Sequence, residues 1–276
     1  MLYARQMTIE QRSMETTRGR MAWLEAGAGW PVVLLHAFPL TADMWRPQLE
    51  SVPSGWRFIA PDFRGFGRFL PPSGGREITM ADYAADVFAL MDGLKLDDAV
   101  IGGLSMGGYV TFAMHRLEPA RFTGMVLADT RPQADTPQGR EGRVKLRAIL
   151  ATDGPRGVAG QMLPKLLSEA ARQEGSEALR QTRTMIEGTA PAAIDAAIGA
   201  LMSRPDSTSC LSQIACSTIV IVGERDEITP VADAEAMQRA IGRSTLTVIP
   251  GAGHLSSLEQ PAAFSRGLAD FLLARL

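Results

Sequence analysis

With 276 residues the chain has the length of one large domain, or of one domain carrying an insertion. An apolar share of 46%, a charged share of 21% and a net charge of −2 are ordinary for a globular protein and exclude a basic face for nucleic acid. Met1 to Met7 hold no apolar signal-type run and no apolar stretch is long enough to span a bilayer, so no membrane contact and a soluble, cytoplasmic protein are expected.

Along the chain, Ser13 to Glu25 reads as a β-hairpin turning near Arg18-Gly19. Val32-Val33-Leu34-Leu35, between Pro31 and His36, is a wholly apolar run of the kind found in a strand buried on both faces of a parallel sheet. Similar runs follow at Phe58-Ile59-Ala60, Ala99-Val100-Ile101, Met125 to Ala128, Thr218 to Val222 and Leu246 to Ile249. Helical patterns lie at Met80 to Leu94, Met106 to Leu117, Val231 to Ile241 and Pro261 to Leu276. This alternation predicts an α/β protein with a mostly parallel, doubly wound sheet. From Arg131 to Asp206 no strand is legible, only helical stretches punctuated by Gly154-Pro155, Thr189-Ala190-Pro191 and Arg204-Pro205. The expected organisation is a core of residues 1–130 and 207–276 with a helical cap at 131–206.

Val100-Ile101-Gly102-Gly103-Leu104-Ser105-Met106-Gly107-Gly108 carries G-x-S-x-G between a strand and a helix. There a serine sits on a sharp turn at the carboxyl end of the sheet, above N–H groups able to bind an anion. The plainer alternative is a serine that merely caps the helix. A serine nucleophile needs a base, and the base an orienting acid. The chain has three histidines. His115 falls inside a helix and reads as packing or surface, and His36 follows the early strand. His254, in Pro250-Gly251-Ala252-Gly253-His254 after the last strand, is the candidate base. Asp226 is the preferred acid because it gives the chain order Ser, Asp, His. Asp129, also at a carboxyl strand end, is its rival, and Glu224 and Glu227 read as solvated loop charges. Cys210 and Cys216 read as two ordinary thiols, and the few histidines give no tight cluster, so no metal and no cofactor are expected.

With His36-Ala37-Phe38-Pro39, Asp62-Phe63-Arg64-Gly65-Phe66-Gly67, Gly103 to Gly107, Gly223 to Asp226 and Gly253-His254, the chain resembles the α/β-hydrolase fold throughout. It is most similar to small bacterial esterases, enol-lactonases of the 3-oxoadipate type and cofactor-free haloperoxidase-like perhydrolases, although Ala37 stands where these usually carry glycine. The resemblance implies an oxyanion hole made by the backbone N–H groups of Phe38 and Met106. It also implies scaffold roles for His36, Asp62, Arg64 and Gly65. Met44, Trp45 and Leu255, with Phe38 and Met106, are candidates for an apolar acyl pocket, and each is equally well explained as core.

The expected activity is hydrolysis of a small to medium carboxylic ester or lactone through an acyl-enzyme. The alternatives are a C–C hydrolase or hydroxynitrile lyase on the same residues, and a ligand-binding receptor with little turnover. Met162, Leu163, Leu166, Leu167, Met185 and Ile186 suggest an apolar roof on the cap. The expected partner is a small-molecule ester or lactone; oligomeric state, a homo-oligomer included, is left open.

Overall fold

One eight-stranded sheet organises the chain in a computed structural model that describes residues 7–69 and 77–274. Its strands are β1 (Glu10–Thr16), β2 (Gly19–Gly27), β3 (Trp30–Leu35), β4 (Trp56–Pro61), β5 (Ala99–Leu104), β6 (Phe122–Ala128), β7 (Ser217–Gly223) and β8 (Ser244–Ile249). They are ordered β1-β2-β4-β3-β5-β6-β7-β8. β1 and β4 pair antiparallel with β2, and every other neighbouring pair is parallel.

β1 and β2 form the expected hairpin, closed where the Thr16 hydroxyl donates to the carbonyl of Gly19, whose φ is 115°. The apolar runs of β3, β5, β6 and β7 are buried because helices cover both faces of the sheet. β8 differs from the fully buried strand expected: as the outer strand it leaves most of its side chains half-buried or exposed, Val248 among them.

The helices are α1 (Arg46–Leu49), α2 (Met80–Gly93), α3 (Met106–Leu117), α4 (Pro137–Leu166), α5 (Glu177–Gly188), α6 (Pro191–Ser203), α7 (Val231–Ala240), α8 (Ser256–Glu259) and α9 (Pro261–Leu273). The end of the predicted last helix, at Leu276, lies outside the described residues. No single helix among the described residues is long and apolar enough to cross a membrane.

Between β6 and β7 the chain forms α4, α5 and α6 and no strand among the described residues. α4 kinks at Gly154 (φ 63°, ψ −162°), where the following Pro155 cannot donate a helical hydrogen bond. The segment lies against loops that leave the sheet. The Thr189 hydroxyl donates to the Pro39 carbonyl (3.3 Å), and Leu255 N–H donates to the Leu166 carbonyl (3.1 Å). At its base Arg204 and Asp135 form a buried ion pair at 2.8 Å, with the Arg204 guanidinium 4.2 Å from the centre of the Tyr109 ring.

Because the central strands are parallel, their carboxyl ends converge on one edge. Phe38, Asp62, Ser105, Asp129, Asp226 and His254 all lie within five residues of such an end, after β3, β4, β5, β6, β7 and β8 respectively.

Candidate active site

Ser105 joins β5 to α3 with φ 55° and ψ −110°, a left-handed conformation that a non-glycine residue holds only when its surroundings enforce it. Two features do so. Ser105 N–H donates to the Ala128 carbonyl at 3.0 Å, and the Thr130 hydroxyl donates to the Ser105 carbonyl at 2.9 Å. Gly103 and Gly107 do more than clear space around the hydroxyl. A Cβ on either would come within 2.6 Å (Gly103) or 2.2 Å (Gly107) of the Leu35 carbonyl oxygen, so α3 reaches β3 only because both are glycine. The Ser105 side chain does not cap α3, which disposes of the plainer alternative; its Oγ lies 2.8 Å from His254 Nε2.

The other ring nitrogen of His254, Nδ1, is 2.8 Å from Asp226 Oδ2. Asp226 is itself immobilised. Its Oδ1 accepts from the N–H groups of Ile228 (2.8 Å) and Thr229 (2.9 Å), and its Oδ2 accepts from the Thr229 hydroxyl (2.6 Å). Burial alone would raise the Asp226 carboxyl. The His254 ring, its hydrogen bond and the Thr229 donors outweigh that effect and hold the carboxyl below its ordinary range. Asp226 therefore stays ionised beside the histidine.

Asp129, the rival acid, is fully buried but turned elsewhere. It accepts from Gly223 N–H at 2.7 Å and is hydrogen-bonded to the Ser256 hydroxyl. Burial, followed by the negative charge of Asp226, pushes its carboxyl well above the ordinary range, against the pull of Ser256 and Gly223. The geometry thus brings Ser105, His254 and Asp226 into one line and leaves Asp129 outside it.

The remaining predicted residues divide into frame and core. Phe38 and Met106 follow β3 and begin α3; the Met106 N–H belongs to the first helical turn, which has no intrahelical acceptor. Ala37 N–H donates to the Met44 sulfur at 3.2 Å. His36 is wholly buried, with Nδ1 2.9 Å from the Ala37 carbonyl and Nε2 accepting from Phe63 N–H at 2.9 Å. Burial lowers its pKa to about 4, which keeps the ring neutral as a fixed link between the loops after β3 and β4. Asp62 accepts from the N–H groups of Ala42 and Arg68, both at 2.8 Å, and Arg64 pairs with Asp86 at 2.5 Å. Met44, Trp45 and Leu255 have no exposed surface, and the Trp45 ring packs on Phe264 of α9 with centroids 5.8 Å apart, which favours the core reading for Trp45. His115 packs against Phe122, and Cys210 and Cys216 form no disulfide.

Two residues of the site, Thr229 and Glu259, were not expected from the sequence, and a third gains a contact. Thr229 stands three residues after Asp226 and directly before Pro230, a local turn signal. Glu259 accepts from Gly253 N–H and Ser168 N–H, both at 3.0 Å, and so ties the histidine loop to the end of α4; nothing local announces those partners. Glu224 is the exposed loop charge expected, and it also accepts from Gly251 N–H at 2.9 Å, joining the acid and histidine loops.

A family model described as alpha/beta hydrolase fold matches residues 31–261. Among solved structures the chain is similar to a thermophilic esterase from Thermogutta terrifontis, determined with malate bound, at 37% identity and a TM-score of 0.90, over 96% of this chain and 99% of that one. A non-heme chloroperoxidase from Burkholderia pyrrocinia is 32% identical over 81% of this chain and 84% of its own. The 3-oxoadipate enol-lactonase 1 of Acinetobacter baylyi is 26% identical over 87% of this chain and 88% of its own.

Proposed function

The chain belongs to the alpha/beta hydrolase family, and from that premise we propose that it hydrolyses a carboxylic ester or lactone of small to medium size through an acyl-enzyme on Ser105. The observation that carries this reading is the pair of 2.8 Å contacts by which His254 joins Ser105 to Asp226. Similarity to proteins named esterase and enol-lactonase supports the substrate class.

In the proposed reaction Ser105 Oγ attacks the carbonyl carbon while His254 Nε2 takes its proton. The carbonyl π electrons move to oxygen, and the Phe38 and Met106 N–H groups bind the resulting oxyanion; a donor so placed contributes about 3 kcal/mol to the transition state. Collapse breaks the bond to the alkoxy oxygen, which takes the proton from the imidazolium and leaves, or in a lactone stays tethered. Water then attacks the acyl-enzyme, giving one proton to His254, and Ser105 departs with that proton as the acid is released. Asp226, held ionised, stabilises the imidazolium in both halves and fixes which nitrogen faces Ser105.

Residues 1–130 and 207–276 form the hydrolase core in this reading, and 131–206 form a cap over the carboxyl ends of the strands. Contacts from Leu166 and Thr189 of that segment to Leu255 and Pro39 support it. Its apolar residues, among them the buried Leu163, Leu166, Leu167 and Ile186, then roof a pocket for short acyl groups.

The test is a panel of p-nitrophenyl esters and lactones together with covalent labelling by a fluorophosphonate. Ser105→Ala is expected to lose both turnover and label with the fold intact. Turnover is expected to fall steeply for acyl chains beyond roughly eight carbons. Labelling that persists in Ser105→Ala moves the nucleophile elsewhere. Laurate cleaved as fast as butyrate removes the roof but leaves the triad.

A further inference from the structure

Asp129 is a buried carboxyl that the proposed reaction does not use, yet it touches both loops on which the reaction depends. Its backbone follows β6 with φ 42° and donates to the Ile221 carbonyl at 2.8 Å, which fixes the side chain relative to β7. Oδ1 accepts from the N–H of Gly223, whose own carbonyl accepts from Asp226 N–H at 3.1 Å. Oδ2 is hydrogen-bonded to Ser256, two residues after His254. At this point the two loops press together: a Cβ on Gly223 would stand 2.0 Å from the Gly253 carbonyl oxygen.

We propose that Asp129 is a positioning residue, its carboxyl bridging the Asp226 loop and the His254 loop so that His254 keeps both of its partners at 2.8 Å. The inference rests on the reading of Ser105, His254 and Asp226 as a triad. The charged groups that face Asp129 are Asp226 and Glu259, both acidic. Together with burial they push the Asp129 carboxyl well above its ordinary range. Its Oδ1 accepts from Gly223 N–H and its Oδ2 from the Ser256 hydroxyl, while Asp226 is the carboxylate hydrogen-bonded to the imidazole. Asparagine has the same shape and tolerates a positive φ; its carbonyl can accept from Gly223 and its amide can donate to the Ser256 hydroxyl, which serves as donor or acceptor. Alanine at φ 42° would add backbone strain to the loss of the bridge, so it is a poor probe.

The experiment compares wild type, Asp129→Asn and Ser256→Ala on p-nitrophenyl butyrate, with fluorophosphonate labelling rates and the pH profile of kcat/KM. Asp129→Asn, the conservative variant, is expected to keep kcat within about three-fold and to leave the acidic limb in place. Ser256→Ala breaks one arm of the bridge and is expected to lower kcat and the labelling rate about ten-fold, with KM within about two-fold. Wild-type kcat in Ser256→Ala overturns the bridge. A loss of a hundred-fold in Asp129→Asn, or an acidic limb displaced by a full pH unit, would mean that the carboxyl acts by its charge and not by bridging the loops, and overturns the positioning role. A wild-type protein that neither turns over the ester nor takes up the label overturns the triad reading and this inference with it. Activity in wild type with unaffected variants overturns this inference alone.

Discussion

The loops beneath Ser105 and the helices α4 to α6 on the other side of it are built on opposite principles. Beneath, Asp226, Thr229, His254, Asp129 and Ser256 are all buried, and each is hydrogen-bonded to another or to a strand-end N–H. Above, the helices carry exposed ion pairs such as Arg147–Asp195 at 2.5 Å and Arg183–Glu187 at 3.9 Å, and α4 is broken at Gly154. A buried polar network has one satisfied arrangement, so it holds reacting atoms in place; a half-exposed helical layer tolerates change and suits selection among substrates. Under the proposed function the difference teaches where substitutions should act: in the loops on the chemistry, in the helices on which molecule reaches it.

The sharpest way to break this comparison is Asp226→Asn. Losing the ionised partner of His254 is expected to lower kcat about 10⁴-fold with little change in fold, measured by steady-state kinetics and circular dichroism. A small effect would mean that the lower network does not set the rate. The next effect is on stability and comes from His36. Its folded pKa of about 4 lies below the ordinary value of 6.5, so the unfolded chain takes up the proton first. The stabilisation is complete above pH 6.5 and is lost as pH falls through that window, about 3 kcal/mol in all by pH 4. Thermal melts of wild type and His36→Gln between pH 7 and 5 check this: the wild-type Tm should fall more steeply. Among these substitutions the smallest effect is expected for Arg147→Ala in α4. Its partner Asp195 is half exposed, so stability should change by less than about 0.5 kcal/mol and kcat on butyrate not measurably. A large loss of activity there would show that the helical layer is as tightly coupled to the chemistry as the loops.

Much of the architecture was legible. The runs at Val32, Ala99, Met125 and Thr218 became buried parallel strands, and the breaks at Gly154-Pro155, Thr189-Ala190-Pro191 and Arg204-Pro205 fell where helices bend or end. The resemblance to esterases, enol-lactonases and haloperoxidase-like proteins agrees with the matched relatives. What misled was also physical. Leu246 to Ile249 has the composition of an inner strand, but its place at the end of the sheet order leaves half its pairing partners missing. Glu224 is the surface charge expected, but its contact with Gly251 was out of reach because that partner lies in another loop.

Sequence alone determined the elements and the residue types at their ends, because helix, strand and turn depend on neighbours a few positions away. That is how the strand–serine–helix passage at Ser105 and the loop histidine at His254 stood out. Only the tertiary structure decided between Asp226 and Asp129. Both leave carboxyl strand ends, and the choice depends on which one His254 faces across 28 residues of chain, while Ser105 lies 149 residues away. Asp129 meets Gly223 and Ser256 across separations of 94 and 127 residues. Contacts at such distances are set by the order of strands in the sheet and by the packing of the loops they carry, which no local pattern of residues encodes.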